Sequence, residues 1–377
     1  MARSKKVFVL IIITFLILFH IPVSANTNIN VSSQYAVLIE QSSGRVLFEK
    51  GAHEKRRIAS ITKIMTAVLA IESGKLNEMV KVSKQATRAE GSSLYLKENE
   101  EIKLEDLVYG LMLRSGNDAA VAIAEYIGGS VEGFAFLMNQ KADEIGMLHS
   151  HFTNPHGLDD SNDHYSTAYD MAILTRYAMM NDTYKLIAGT EVHRAPNPTE
   201  SWDRVWRNKN RLLTELYDYS TGGKTGFTKL AKRTLVSTAT KDGMDLIAVT
   251  LNGPDDWNDH INMFETAFKT YEMVQVVEKG FISGIQSDKY KNKAIVKHDF
   301  QYPVLETEKD EFELEYKLKQ LKGERSIPEV IGELIITFDN QPIKTMPIYY
   351  NNEKEETSFF ESFKKVFTTM IGVKANG

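Results

Sequence analysis

Apolar and polar positions repeat with different periods along the chain, and the period indicates where strands and helices lie. Residues 35–40 and 45–49 are short apolar runs joined by a Ser-Ser-Gly turn, which predicts a β-hairpin. The period then becomes helical over residues 58–71, and Gly74 is suited to end that helix. Apolar residues recur there at helical spacing and would form one buried stripe: Ile61, Ile64, Met65, Val68 and Leu69.

The helical pattern continues through the middle of the chain as far as about residue 185. It predicts further helices at residues 104–113, 117–127, 134–145 and 169–180. A polar loop rich in His and Asp runs over residues 154–166, between the last two of these helices.

Strand patterns return after residue 210. The runs at residues 224–230, 233–239 and 245–251 predict strands, and an Asp-Gly pair between the last two is typical of a hairpin turn. A long amphipathic helix is predicted over residues 257–277. Two early strands, a helical insertion, three late strands and a closing helix together predict an α/β sandwich with a helical subdomain.

Composition changes near Gly280, where short strand patterns replace the long elements. We therefore expect one domain over residues 26–279 and a small β-rich domain over residues 280–350. The strand patterns of the second domain lie at residues 294–296, 313–316 and 334–338.

Residues 351–377 begin as a charged linker and continue as an amphipathic segment. Its apolar residues fall on one helical face: Phe359, Phe360, Phe363, Val366, Phe367, Met370 and Ile371. Lysines on the other face predict a helix that lies in a membrane interface over residues 358–371. The segment is too short and too polar to span a bilayer, and a helix docked on the protein body is the alternative.

Residues 1–25 have the three parts of a secretory signal: a basic start, an apolar run and a small-residue cleavage site. An uncleaved N-terminal anchor is the alternative, and either predicts that the rest of the chain is exported. The absence of cysteine from the sequence excludes disulfides, thiolate nucleophiles and cysteine metal sites. A formal net charge of −5 gives no indication of nucleic-acid binding.

Ser60 and Lys63 are spaced to share one face of the first helix. The positive end of the helix dipole and partial burial would lower the pKa of the lysine, so that it can act as a base. A serine needs such a base to become a nucleophile. Taken alone the pair is weak evidence, since a first-turn serine and a solvated lysine are common.

Two later motifs make the Ser60–Lys63 pair stronger evidence for an active site. Ser115 and Asn117 lie between two predicted helices, where a loop can turn polar side chains into a cleft. Lys224, Thr225 and Gly226 follow at the start of a predicted strand, and the glycine permits close approach of a ligand backbone. S-x-x-K, S-x-N and K-T-G in this order are the motif set of penicillin-binding proteins and serine β-lactamases.

The chain resembles the low-molecular-mass penicillin-binding proteins that are D-alanyl-D-alanine carboxypeptidases, peptidase family S11. The resemblance covers the mature chain and is densest at residues 59–66, 113–120, 153–158, 208–213 and 222–228. It implies the penicillin-binding fold, an antiparallel sheet flanked by helices, with a C-terminal β domain and an amphipathic anchor. Residues 228–238 are similar to the sporulation-type member of endospore-forming bacteria, which acts on spore-cortex peptidoglycan.

The resemblance implies a role for each catalytic residue. Ser60 would attack the carbonyl between the two terminal D-alanines of a peptidoglycan stem peptide, with Lys63 as the general base. Ser115 would relay a proton to the leaving amine, and Asn117 would bind the substrate amide and Lys63.

The substrate-binding residues follow from the same resemblance. Lys224 and Thr225 would bind the terminal carboxylate of the substrate, and Gly226 would border it. The backbone N–H groups of Ser60 and Phe227 would form the oxyanion hole. The resemblance implies no metal or cofactor. β-Lactams would acylate Ser60. The protein would work at the extracytoplasmic face of the cell membrane, which in a sporulating cell would be the outer forespore membrane.

Other classes of protein carry some of these motifs. A serine β-lactamase would need a deacylating glutamate, and we find no Glu-x-x-x-Asn segment between Asn117 and Lys224. A D,D-endopeptidase, a silent penicillin-binding scaffold and an exported binding module remain alternatives. The His and Asp residues near the 154–166 loop could suggest a metal cluster, but none of these histidines has the spacing of a helical metal pair.

Overall fold

The computed structural model describes residues 29–198, 200–283, 285, 287, 289–319 and 327–351. The predicted signal at residues 1–25 and the predicted interfacial helix at residues 358–371 lie outside the described residues.

In chain order the strands are β1 (Tyr35–Glu40), β2 (Val46–Lys50), β3 (Met79–Lys81), β4 (Glu101–Lys103), β5 (Val192–Ala195), β6 (Arg204–Arg207), β7 (Ser220–Thr228), β8 (Lys232–Lys241), β9 (Met244–Leu251), β10 (Glu272–Val277), β11 (Gly280–Phe281), β12 (Ala294–Val296), β13 (Phe300–Val304), β14 (Phe312–Leu318), β15 (Val330–Phe338) and β16 (Gln341–Tyr350). The helices are α1 (Lys63–Glu72), α2 (Leu104–Arg114), α3 (Asn117–Gly128), α4 (Val131–Ile145), α5 (Ala168–Ala178), α6 (Asp182–Ala188) and α7 (Asp256–Thr270).

A five-stranded antiparallel sheet in the order β2-β1-β9-β8-β7 organises the N-terminal part of the chain. β1 pairs with β9, with Val37 opposite Val249, so the first and the last strands of this sheet lie side by side. The five strands predicted for this region are confirmed, but β7 begins at Ser220, so Lys224 lies in the middle of the strand rather than at its start. Asp242 and Gly243 form the β8–β9 turn at φ values of 51° and 81°. A two-residue hairpin loop of type I′ requires positive φ at both of its residues.

Alternate residues of β1 belong to two different cores because side chains alternate across a strand. Val37 and Ile39 pack into the larger core, which contains the buried faces of α1 to α5. Ala36 and Leu38 pack on the opposite face, with the apolar residues of α7. The sheet is therefore covered by helices on both faces, and the predicted α/β class and the helical subdomain are confirmed.

The first predicted helix differs from the structure at its start and in its burial. Residues Ala59–Thr62 form a 3-10 turn, and the α-helix begins at Lys63. The predicted single stripe is wrong, because Ala67 and Ala70 are also fully buried while Leu69 is only partly buried. A helix that is buried on nearly every side lies inside the core rather than on its surface.

The predicted helix over residues 257–277 is too long. α7 ends at Thr270, and the residues from Glu272 onwards form β10, which pairs antiparallel with β13. Residues 272–277 contain three valines, and β-branched residues favour a strand once a partner strand is available. Local apolar content alone did not distinguish the two possibilities.

A second five-stranded sheet, in the order β11-β12-β16-β15-β14, follows and confirms the predicted β-rich region. Its core contains Ile331, Leu334, Ile336 and Ile348. Arg45, just before β2, joins the two parts: its guanidinium lies 2.9 Å from a Glu308 oxygen and 5.2 Å from the centre of the Tyr302 ring.

The sequence patterns did not predict α6 or the two short hairpins β3–β4 and β5–β6. Among the described helices none is by itself long and apolar enough to cross a membrane. α3 and α4 meet that criterion only as a pair bent by 82°.

Candidate active site

Lys63 is fully buried at the start of α1, and its amine has three polar neighbours. Nζ lies 3.0 Å from Ser60 Oγ, 2.7 Å from Asn117 Oδ1 and 2.7 Å from the main-chain oxygen of His156. Two predicted motifs therefore meet at one nitrogen, although Asn117 is 54 residues away from Lys63 in sequence.

Burial holds the pKa of Lys63 well below its usual range, since there is little water to solvate the charge. The positive charges of Lys224 and Lys209 lower it further, and the carboxylate of Asp118 acts in the opposite direction. The arrangement favours a neutral amine, which is the form that accepts a proton.

The 3-10 turn places Ser60 in front of that amine through an unusual backbone conformation. Ala59 has a φ of 50°, which is a strained value for a residue with a Cβ. Gly157 packs so tightly on this peptide that a Cβ there would lie 1.9 Å from the Ala59 oxygen. Thr62 Oγ1 donates to the same oxygen at 2.8 Å. These contacts fix the carbonyl group that precedes Ser60.

The loop between α4 and α5 forms the floor of the site. The Thr153 N–H donates to His164 Nδ1 at 3.1 Å, so Nε2 carries the ring hydrogen and donates to Thr62 Oγ1 at 2.8 Å. Burial lowers the pKa of His164 to about 4 and the pKa of His156 to about 3. Both rings are neutral parts of the scaffold, and no three His, Asp or Glu side chains of the described chain are grouped to hold a metal ion.

Ser115 and Asn117 occupy the turn between α2 and α3. Ser115 ends α2 in the left-handed region, at φ 65°, and is nearly buried at 5% exposure. Asn117 begins α3, and its Nδ2 donates to the main-chain oxygen of Glu90 while Oδ1 accepts from Lys63. The amide is thereby held in one orientation.

β7 forms the opposite wall of the site and is an edge strand of the sheet. A Cβ on Gly226 would lie 2.9 Å from Ser60 N and 2.3 Å from Thr234 Oγ1, so only glycine fits there. The Phe227 side chain is exposed, and its main chain continues β7 directly after Gly226. An unpaired strand edge can bind an extended peptide through main-chain hydrogen bonds.

Lys224 points into the protein from β7 and is 2% exposed. Its Nζ donates to the Thr225 oxygen at 2.8 Å, and burial lowers its pKa to about 7, with a further contribution from Lys209. Lys224 makes no direct contact with Ser60 in this state. Its influence on Lys63 is electrostatic.

Two contributors to the site have no role in the sequence-based prediction. The His156 oxygen is a main-chain atom, and no residue type in the sequence signals it. Lys209 donates to Ser92 Oγ at 3.3 Å and lowers the pKa of both active-site lysines. It lies in the run 208–213, which the sequence analysis singled out only for its resemblance.

Comparison with known proteins identifies the family of both parts of the chain. The family described as D-alanyl-D-alanine carboxypeptidase matches residues 22–255, and the family described as penicillin-binding protein 5, C-terminal domain, matches residues 271–356. The chain is 32% identical over 345 residues to D-alanyl-D-alanine carboxypeptidase DacF of Bacillus subtilis, which covers 88% of each protein.

Solved structures give the same result. Penicillin-binding protein 5 of Haemophilus influenzae superposes with a TM-score of 0.70 at 28% identity, over 86% of this chain and 98% of that one. The D-alanyl-D-alanine carboxypeptidase DacD of Francisella tularensis has a TM-score of 0.66 at 27% identity, over 86% of this chain and 94% of the other. The sequence motifs, the fold and these similarities together show that the chain belongs to the D-alanyl-D-alanine carboxypeptidase family, peptidase S11.

Proposed function

We propose that this protein removes the terminal D-alanine from peptidoglycan stem peptides through an acyl-enzyme on Ser60. One observation carries the proposal: Lys63 Nζ lies 3.0 Å from Ser60 Oγ, and its other two contacts are both oxygen acceptors. A neutral amine has two hydrogens and one lone pair. Asn117 Oδ1 and the His156 oxygen take the hydrogens, so the lone pair faces the serine hydroxyl.

In the acylation step, Ser60 Oγ attacks the carbonyl carbon of the penultimate D-alanine and Lys63 takes the hydroxyl proton. The tetrahedral oxygen is held by the N–H groups of Ser60 and Phe227, and one such donor is typically worth about 3 kcal/mol in the transition state. The C–N bond then breaks. Ser115 relays the proton that Lys63 took up to the departing amine, so Lys63 is neutral again when free D-alanine leaves.

Substrate choice rests on the carboxylate of the last residue. Lys224 and Thr225 bind it, with Gly226 leaving room for the peptide backbone. Lys209 and Lys224 are close enough to lower the pKa of Lys63, and the positive field of these two lysines attracts an anionic chain end. Water then hydrolyses the ester on Ser60 and restores the serine.

The test is release of D-alanine from diacetyl-Lys-D-Ala-D-Ala by the purified protein, before and after exposure to penicillin. We expect release that penicillin abolishes and that a chelator leaves unchanged. Ser60→Ala should lose both D-alanine release and covalent labelling by a fluorescent penicillin. Labelling of Ser60→Ala at the wild-type level would contradict the assignment of Ser60, and intact activity in penicillin would contradict the proposed reaction.

We further propose that residues 1–25 export the chain and that residues 358–371 hold it at the outer surface of the cell membrane. The β10–β13 pairing and the family match that starts at residue 271 support a domain boundary near Tyr271 rather than at 280. Removing residues 352–377 tests the anchor. The shortened protein should leave the membrane fraction and keep its activity on the soluble tripeptide.

A role in spore-cortex peptidoglycan is also proposed, supported by the similarity of residues 228–238 to the sporulation-type enzyme. Deleting the gene in a spore-forming host should raise the cross-linking of the cortex and leave the vegetative wall unchanged. The reverse pattern would contradict this role.

A further inference from the structure

A groove rich in positive charge lies at the end of β7, next to the candidate active site. It has a volume of about 680 Å³, and its walls include the three cations Lys55, Arg56 and Arg57. Leu230, in the turn that follows β7, lines it as well. None of its described lining residues is acidic. The groove is therefore locally positive in a chain with a net charge of −5.

Two of the three cations lie over aromatic rings, and only one of these two also contacts a carboxylate among the described residues. Lys55 Nζ lies 4.9 Å from the centre of the Tyr165 ring and makes no salt bridge within the described residues. Arg56 Cζ lies 4.4 Å from the centre of the Tyr35 ring, and its contact with Glu54, at 3.5 Å, is exposed to solvent. Exposed ion pairs of this kind are weak. Both cations are therefore held in place while their charges stay available to a ligand.

Arg57 has a different role. It donates to Asp159 Oδ1 at 3.4 Å and to the Ser161 oxygen at 3.1 Å. These bonds tie the segment before Ser60 to the loop that floors the site. We therefore assign anion binding to Lys55 and Arg56, and a positioning role to Arg57.

The position of the groove follows from the direction in which a substrate must run. Suppose that Lys224 and Thr225 hold the terminal carboxylate and that the Phe227 N–H holds the scissile carbonyl oxygen. The substrate residues upstream of the scissile bond then continue towards the end of β7 at Thr228. An extended peptide advances about 3.3 Å per residue. Two or three residues upstream of the scissile carbonyl therefore reach the turn that contains Leu230 and the mouth of the groove.

We propose that this groove binds a carboxylate carried by the substrate peptide upstream of the scissile bond. The inference rests on the proposed function. A D-glutamyl residue linked through its side-chain carboxyl leaves its α-carboxylate free at this distance from the bond that is cut. Arg and Lys both bind carboxylates, and Arg does so with two parallel N–H donors.

The experiment compares three substrates that share the same D-Ala-D-Ala end. The first is L-Ala-γ-D-Glu-L-Lys-D-Ala-D-Ala, the second is its analogue with a carboxamide in place of the free D-Glu carboxylate, and the third is diacetyl-Lys-D-Ala-D-Ala. The enzymes are wild type, the double variant Lys55→Ala/Arg56→Ala, and Lys84→Ala/Lys269→Ala. The last variant removes two exposed charges outside the groove and serves as the matched control.

We expect wild type to have a kcat/KM about tenfold higher on the acidic pentapeptide than on its carboxamide, with the difference in KM. The Lys55→Ala/Arg56→Ala variant should lose that preference, keep its kcat/KM on the tripeptide and react with penicillin at the wild-type rate. The control should keep the preference. Lys55→Glu should reverse the preference towards the carboxamide.

Three results would overturn the inference. Wild type could show no preference for the carboxylate, the preference could survive in the double variant, or kcat/KM of the double variant could fall equally on all three substrates. The tripeptide separates this inference from the proposed function. If wild type releases no D-alanine from any substrate, the proposed function fails. If wild type releases D-alanine from the tripeptide but shows no preference for the free carboxylate, only the proposed role of the groove is refuted.

Discussion

The main-chain oxygen of His156 lies 2.7 Å from Nζ of Lys63, although 93 residues separate the two in sequence. In the proposed mechanism this oxygen and Asn117 Oδ1 accept the two hydrogens of a neutral amine, so that its lone pair faces Ser60. Lys63 is therefore held by a loop and by a helix start that belong to the helical subdomain. We expect changes to that loop to alter catalysis without contact with a substrate.

Replacing Lys63 with Arg should remove the base while keeping the positive charge. A guanidinium does not lose its proton in a protein. We expect D-alanine release and the rate of penicillin acylation to fall about 10²–10⁴-fold, the usual contribution of general base catalysis. Lys75→Arg, at an exposed position past the end of α1, is the control and should match wild type. A Lys63→Arg variant within fivefold of wild type would contradict the role of Lys63.

The two active-site lysines predict a bell-shaped dependence of kcat/KM on pH. Acylation requires neutral Lys63, so activity rises as pH passes the lowered pKa of this group. Carboxylate binding requires charged Lys224, whose pKa burial lowers to about 7, so kcat/KM falls as pH rises beyond that value. The loss should occur mainly in KM, because a bound carboxylate raises the pKa of Lys224.

Measurement of kcat and KM for the tripeptide between pH 5 and pH 10 tests this. Penicillin also carries a carboxylate, and its acylation rate should show the same alkaline limb. A kcat/KM that stays level from pH 7 to pH 10 would refute the binding role of Lys224.

The pairing of Ser60 with Lys63 was predictable because residues three apart share a helix face, and a 3-10 turn that runs into a helix preserves this relation. The turn itself was not predictable. It depends on positive φ at Ala59, where Gly157 packs on the Ala59 oxygen and His164 contacts the Thr62 hydroxyl that donates to it, both from a distant part of the chain. Only the tertiary structure supplies those contacts.

The end of α7 shows the same limit for the fold. Residues 257–270 and 272–277 are both rich in apolar residues, and the sequence pattern joined them into one helix. β10 exists because β13, some 25 residues further on, supplies a partner strand. Elements whose pattern is local, such as the β8–β9 hairpin with its Asp-Gly turn, were predicted correctly.

Gly157→Ala should damage the site through a steric clash rather than through backbone strain. Gly157 has a φ of 84°, and an added Cβ would lie 1.9 Å from the Ala59 oxygen. Gly146 has a φ of 85° with nothing within 4 Å, so Gly146→Ala carries the same backbone cost, about 1–2 kcal/mol, without the clash. We expect penicillin acylation to fall more than tenfold in Gly157→Ala and to be unchanged in Gly146→Ala. Thermal unfolding of both variants gives the accompanying loss of stability, and equal acylation rates would contradict the clash.

Buried His260 should make the protein sensitive to acid. It lies between α7 and the sheet, where Nε2 contacts Thr250 Oγ1 at 2.9 Å and Nδ1 contacts Ser237 Oγ. Burial lowers its pKa from 6.5 to about 3. Between these values the unfolded chain binds a proton that the folded chain does not, so the free energy of unfolding decreases as pH falls below 6.5. At pH 5 the loss is about 2 kcal/mol.

Urea unfolding at pH 7 and pH 5 tests this for wild type, His260→Gln and His53→Gln. His260→Gln should be less stable than wild type at pH 7 because it loses buried hydrogen bonds. Between pH 7 and pH 5 its free energy of unfolding should fall by about 1–2 kcal/mol less than that of wild type. The fall that remains comes from His156 and His164, because burial lowers the pKa values of these two histidines as well. His53 is exposed, so His53→Gln should follow wild type. Equal pH dependence in His260→Gln and wild type would mean that His260 is already solvated in the folded protein.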